Sequence, residues 1–236
     1  MLTQAIGKVG SGKSLWAMEQ LCLELHNTTR NVVTTLDIKL DELNEYMQKR
    51  WPLDDCRVCQ RVTFLTKEQL RKFWRHRGGA VVLGEFGVGE GWKGLEPVFY
   101  LLDEDHEGFG ARDWMKTGPE FTSYITQHRH LGDDILGTCP QPSLLDKQFR
   151  GMVGECVILD NWYKRRVKWF TMPRVIKWKL FANCPPVPGE LPTQTGNMRI
   201  DAKGLANCYR TEGGLGVVGK QEIRVKWRKG CLGGLF

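Results

Sequence analysis

The stretch Gly7-Lys8-Val9-Gly10-Ser11-Gly12-Lys13-Ser14 constrains this chain more than any other. It is a glycine, four residues and then Gly-Lys-Ser, the full Walker A form. Such a loop works only between a buried strand and a helix. Leu2 to Ile6 is short and apolar, as a first strand would be. Ser14 to Leu25 carries Leu15, Met18, Leu21 and Leu25 at three- and four-residue spacings, which predicts the helix. Gly7, Gly10 and Gly12 let the backbone curl so that its N–H groups point inward, a nest for phosphate oxygens. The helix N-terminus adds a positive dipole end. Lys13 is placed to reach the β- and γ-phosphates and Ser14 to ligate Mg²⁺. Ser11 and Leu15 complete the residues expected to contact the nucleotide.

Hydrolysis needs a second half, a carboxylate at the end of an apolar strand. Two segments offer one: Ala80 to Leu83, ending at Gly84-Glu85, and Val98 to Leu102, ending at Asp103-Glu104. The second is the better Walker B. Asp103 serves Mg²⁺, and the adjacent Glu104 polarises the attacking water. That glutamate argues against a small-molecule kinase. Between the two segments lies GEFGVGEGWKGLEP, whose glycines predict a mobile loop.

Strand and helix signals alternate over residues 1–160. Strands are expected at Asn31 to Leu36, Arg61 to Leu65, the two segments above, Asp134 to Thr138 and Glu155 to Leu159. Helices are expected at Leu40 to Trp51, Lys67 to Arg77, Glu120 to Arg129 and Asp146 to Val153. Thr66 and Gln69 form a capping box before the third of these five helices, counting the one after the loop as the first. The pattern predicts an α/β fold with a mainly parallel sheet flanked by helices, with ligands at the carboxyl ends of the strands. Residues 161–236 read as a smaller β-rich appendage. From Tyr163 to Phe181 there are seven Lys/Arg and no Asp/Glu. Apolar and basic residues alternate there on either side of Thr171-Met172-Pro173, which predicts a β-hairpin with a basic face. Cys184 to Gly196 is proline-rich and predicts an irregular connection.

The net charge of +7 favours acidic partners such as nucleic acid or anionic lipid and says nothing of fold. No apolar run reaches about 18 residues, so no membrane-spanning helix is expected. The end VKWRKGCLGGLF reads equally as a frayed tail or as the basic flank of a membrane helix. The N-terminus offers no secretory leader, because Gly7 to Ser14 interrupts it. The eight cysteines are therefore expected to be mostly free thiols. Cys56 and Cys59 form a CxxC without two further ligands nearby, so zinc is not expected there.

Four stretches together resemble the zonular occludens toxin (Zot) family: the Walker A loop, VFYLLDEDHEGFGAR at 98–112, YITQHRHLGDDIL at 124–136 and PQPSLLDKQFR at 140–150. Members of that family are similar to the inner-membrane assembly ATPases of filamentous phages. The resemblance implies an ATP- and Mg²⁺-dependent ATPase at the cytoplasmic face of the host inner membrane. It implies work as a homo-oligomer with phage coat and other assembly proteins, to extrude single-stranded DNA. Single-stranded DNA and an anionic membrane surface are the acidic partners it suggests. It also implies a γ-phosphate-sensing glutamine, for which Gln141 is the choice, and an arginine supplied by a neighbouring subunit. Arg112, Arg129 and Arg150 are candidates for that arginine, with Arg129 first. His128 and His130 are expected to pack or hydrogen-bond. The chain departs from the family in lacking the membrane helix that members usually carry. A DNA-translocating or packaging ATPase without a membrane role, and a nucleotide-binding scaffold without turnover, remain as alternatives.

Overall fold

In the computed structural model, residues 1–52, 58–82, 96–110, 119–162, 166–167, 170–171, 175–200 and 204–210 are described. An eight-stranded sheet forms the centre. Its parallel strands are β1 (Leu2–Ile6), β2 (Asn31–Thr34), β3 (Val62–Phe64), β4 (Val98–Leu102), β5 (Asp134–Cys139) and β6 (Glu155–Asn161). Two antiparallel strands, β9 (Val175–Phe181) and β10 (Gln194–Arg199), extend it beyond β6. The spatial order is β10-β9-β6-β1-β5-β4-β2-β3.

Alternation along the strands divides the core in two. Ala5, Phe99, Leu101, Leu136, Val157 and Leu159 face one side, where α1 (Lys13–Asn27) and α2 (Leu40–Arg50) cover them. Leu2, Val98, Tyr100, Leu102, Ile135 and Cys156 face the other, under α4 (Lys67–Val82), α6 (Pro119–Gln127) and α7 (Lys147–Gly151). Two single-turn helices, α3 (Val58–Arg61) and α5 (His106–Phe109), fall between these in the chain. Every residue of β4 is buried, as expected of a central parallel strand covered on both faces. On α1 the predicted stripe of Leu15, Met18, Leu21 and Leu25 is the buried one. Trp74 of α4 packs edge-on against Tyr100 of β4, with ring centroids 5.4 Å apart. The capping box is present: Thr66 N donates to Gln69 Oε1 (3.0 Å) and Gln69 N to Thr66 Oγ1 (3.3 Å).

Two expectations are corrected. Residues 80–82 are the last turn of α4 and not a strand. A short apolar run such as Ala80-Val81-Val82 fits a helix face as well as a strand, and here it continues a helix already capped and in progress. This removes the alternative Walker B segment; Glu85 and most of the glycine-rich stretch fall outside the described residues. The basic hairpin is also paired differently. Arg166–Val167 (β7) pairs with Phe170–Thr171 (β8) in a two-stranded ladder, while β9 pairs with β6 and β10. The reason is burial. Ile176 is fully buried and Trp178 and Leu180 pack against the α1-side core, which an isolated hairpin could not provide. The proline-rich connection is likewise shorter than expected, because β10 begins at Gln194.

Candidate nucleotide site

β1 ends at Ile6 and the chain curls at once. Ser11 N donates to Lys8 O (2.9 Å), and Gly10 and Gly12 take the left-handed backbone conformation, with φ of 75° and 94°. Gly12 has no room for a side chain either: a Cβ there would come 2.3 Å from Ile176 Cδ1. A Cβ on Gly7 would meet Leu159 O at 2.9 Å. β6 ties the loop down through Asn161 Nδ2, which donates to Gly10 O (3.0 Å). Lys13 is buried at 6% exposure, and its Nζ donates to Gly7 O (2.9 Å), bridging the curl. Ser11 is buried, and its Oγ has no hydrogen-bond partner among the described residues.

The acidic half arrives at the end of β4. Ser14 Oγ donates to Asp103 Oδ1 at 3.0 Å, so the loop and the strand end meet although 89 positions separate them. β5, inserted between β1 and β4, brings in Thr138, to which the sequence assigned no role. Thr138 is fully buried; its Oγ1 donates to Asp103 Oδ1 (2.8 Å) and accepts from Glu104 N (3.1 Å). Thr35, one residue past β2, accepts from Asp103 N (2.9 Å). Glu104 has a positive φ of 48°, uncommon for a side chain with a Cβ and found where surroundings over-determine the backbone. Its Oε2 lies 3.3 Å from His106 Nδ1, and Lys67 donates to its carbonyl at 3.4 Å while also pairing with Glu107.

Beneath this acidic turn is Asp105, 2% exposed. Its Oδ1 accepts from Gln4 Nε2 (3.3 Å), while Oδ2 and Gln4 Oε1 are unpartnered among the described residues. Both oxygens stand over Gly137, where a Cβ would come within 2.1 and 2.8 Å of them. Burial pushes the Asp105 carboxyl well above the usual carboxylate range, with Glu104 and Asp103 adding to the rise and the Gln4 bond opposing it. A protonated Asp105 can donate, which an ionised one cannot.

The other expected site residues divide. Leu15 follows Ser14 on α1 and is buried. Gln141 lies two residues past the end of β5, exposed, with extended backbone at the carboxyl edge of the sheet. Arg129 is not brought to the loop of its own chain. It sits in a 3₁₀ turn, His128–Leu131, before β5, against Gly154 and the start of β1. Most of β5 lies between it and Thr138, a rise of about 13 Å from Asp134 to Thr138. Arg150 belongs to α7, and Arg112 lies outside the described residues, as does the Cys56 and Cys59 side-chain pair. His128 is buried and its Nδ1 lies 2.7 Å from Ile125 O; burial pushes its pKa down. His130 is exposed. Among the described residues no cluster of three or more His, Cys, Asp or Glu is arranged to hold a metal ion, and no helix is long and apolar enough to cross a membrane.

Residues 204–210 close over the end of β2. Cys208 O accepts from Lys39 N (2.8 Å), Arg210 N donates to Asp37 O (3.0 Å), and Tyr209 bridges to Ile38. Burial, with Asp103 as a second cause, pushes the Tyr209 phenol up to about 12.

The chain is 29% identical over 168 residues to the Gene 1 proteins of Salmonella phage IKe and Enterobacteria phage I2-2. That alignment covers 71% of this chain and 40% of each relative, so the chain spans well under half of those proteins. The crystal structure of the N-terminal domain of zonular occludens toxin from Neisseria meningitidis superimposes with a TM-score of 0.51 at 18% identity, covering 89% of this chain and 98% of that one. The genome packaging NTPase B204 of Sulfolobus turreted icosahedral virus 2, solved with ATP-gammaS, gives a TM-score of 0.48 at 12% identity, covering 84% of this chain and 97% of that one. The family model of the zonular occludens toxin (Zot) matches residues 1–174, and the chain belongs to that family.

Proposed function

We propose that this chain is an ATPase that powers phage morphogenesis, extruding single-stranded DNA through assembling coat protein at the cytoplasmic face of the host inner membrane. One contact carries the proposal: the Ser14 hydroxyl on the Asp103 carboxylate at 3.0 Å, which joins the two halves of a triphosphate site. The loop N–H groups and the start of α1 receive phosphate oxygens. Lys13 already spans the curl and exchanges the Gly7 carbonyl for a phosphate oxygen. Glu104, on its strained backbone, orients and polarises the attacking water. Thr138 fixes the spacing of Asp103 and Glu104 by bonding to both.

The donors at the Ser14–Asp103 contact are a hydroxyl and a carboxylate, the hard oxygen ligands that suit Mg²⁺. When bound, that ion would offset phosphate charge. An arginine acting from a neighbouring subunit fits Arg129, which faces away from its own site. The shared family, with the phage Gene 1 proteins among the relatives, supports the setting and a homo-oligomer bound to coat and other assembly proteins. The net charge of +7 supports single-stranded DNA or an anionic membrane surface as a further partner. The test is phosphate release from ATP by purified protein, with Glu104→Gln as control. Turnover lost in the variant with ATP still bound supports the proposal; equal turnover in both removes Glu104 from it.

A further inference from the structure

A groove of about 280 Å³ opens beside the first turns of α1. Its apolar lining is Leu15 and Leu205, both buried, with half-buried Met198 of β10. Tyr46 of α2 forms another wall, and Asn197 and Arg199 stand exposed on the β10 side.

Position says what the groove faces. Leu15 and Glu19 lie on the first turns of α1, so the groove opens within about one helical turn of the end where phosphates would sit. Met198 is the register partner of Ile176, the side chain packed on Gly12. The groove is therefore one strand from the phosphate loop. Size says what can enter. About 280 Å³ is close to the roughly 300 Å³ at which small-molecule sites begin, and a helix about 10 Å across does not fit.

The charges narrow it further. Arg50, also lining the groove, is committed: its two terminal nitrogens each lie 2.6 Å from a Glu19 oxygen, and its guanidinium stacks on Trp51 at 4.4 Å. That wall is rigid and neutral. Arg199 has no carboxylate partner in any ion pair among the described residues, and with the Asn197 amide it supplies polar contacts above an apolar floor. A flat, polar-edged ring with a sugar attached matches this combination; methionine and leucine side chains suit its faces.

We infer that the groove takes the nucleoside part, base and ribose, of the nucleotide whose phosphates the loop holds. The base lies on Leu15 and Met198, and Asn197 and Arg199 contact its edge and the ribose. This rests on residues 7–14 being a phosphate-binding loop, so the experiment separates the two claims. Calorimetry measures ATP and inorganic tripolyphosphate binding to the full chain, to Met198→Trp, which fills the groove, and to Arg199→Ala, an exposed change that spares the fold. Wild type is expected to bind ATP about tenfold more tightly than tripolyphosphate. Met198→Trp should lose that advantage with tripolyphosphate affinity unchanged, and Arg199→Ala should lose about threefold on ATP alone. Equal affinities for the two ligands in wild type, or wild-type ATP affinity in both variants, overturns the groove assignment and leaves the loop standing. Failure of wild type to bind either ligand overturns both.

Discussion

The two ends of the central sheet handle charge in opposite ways. At the amino end, charges cancel one another. Arg30 reaches Glu24 and Asp134, each at 2.7 Å, and the N-terminal ammonium pairs with Asp134 as well. At the carboxyl end Lys67 and Glu107 pair at the rim, but the charges nearest the loop do not cancel. Lys13 holds a carbonyl and Asp103 holds two hydroxyls, so neither is neutralised by an opposite charge among the described contacts; Asp105, whose carboxyl burial pushes toward the neutral form, holds an amide. Burying a charge without a counter-charge is unfavourable, and a protein sustains it where a ligand supplies the missing partner. One end pairs its charges, and the other leaves Lys13 and Asp103 without a counter-charge among the described residues.

The sharpest way to break that contrast is Lys13→Ala. Phosphate release should fall by about 10³ and ATP binding with it, since removing one pre-positioned donor to transition-state charge loses about 10²–10³. ATP affinity measured by calorimetry must drop in the same variant, or Lys13 does not face phosphate. Glu104→Gln should lower turnover by about 10² or more while ATP still binds, within the range of a missing general base. Thr138→Val removes the hydroxyl shared by Asp103 and Glu104; turnover is expected to drop about tenfold, the size of one lost hydrogen bond. Steady-state kinetics should place that loss in kcat.

Changes at the amino end should leave catalysis alone. Asp134→Ala should cost about 1 kcal/mol of stability in chemical denaturation, the upper range for partly exposed pairs, with turnover per folded molecule unchanged. Burial pushes the Asp134 carboxyl up, but hydrogen bonds from the N-terminal ammonium and Arg30 outweigh it and hold the group below its ordinary value. A depressed carboxylate stabilises above its unfolded pKa of about 3.9 and loses that contribution as pH falls through its native value. The gap between wild type and Asp134→Ala should therefore close below about pH 4. Smallest of all, Arg129→Ala should not change turnover in dilute protein. A loss that appears only as protein concentration rises would assign Arg129 to a neighbour's site.

Local signals made the loop, α1 and β4 legible, because a glycine pattern, a helical stripe and an apolar run ending in acid each report a nearby constraint. Thr138, Thr35 and Gln4 were not legible. Each acts through a partner brought by sheet order, and Thr138 reaches Asp103 only because β5 lies between β1 and β4. The same non-local pairing hid β9, whose alternation announced a strand but not its neighbour. Residues 80–82 misled for the opposite reason: three apolar residues carry no period long enough to distinguish helix from strand. Arg129 drew attention through its histidine neighbours, and only the fold places it at the far edge.

Gly12 is left bare partly because Ile176 fills the space above it. Ile176 is the second residue of β9, which pairs with β6 and β10. Drawing β9 away from β6 would therefore uncover the glycine that caps α1.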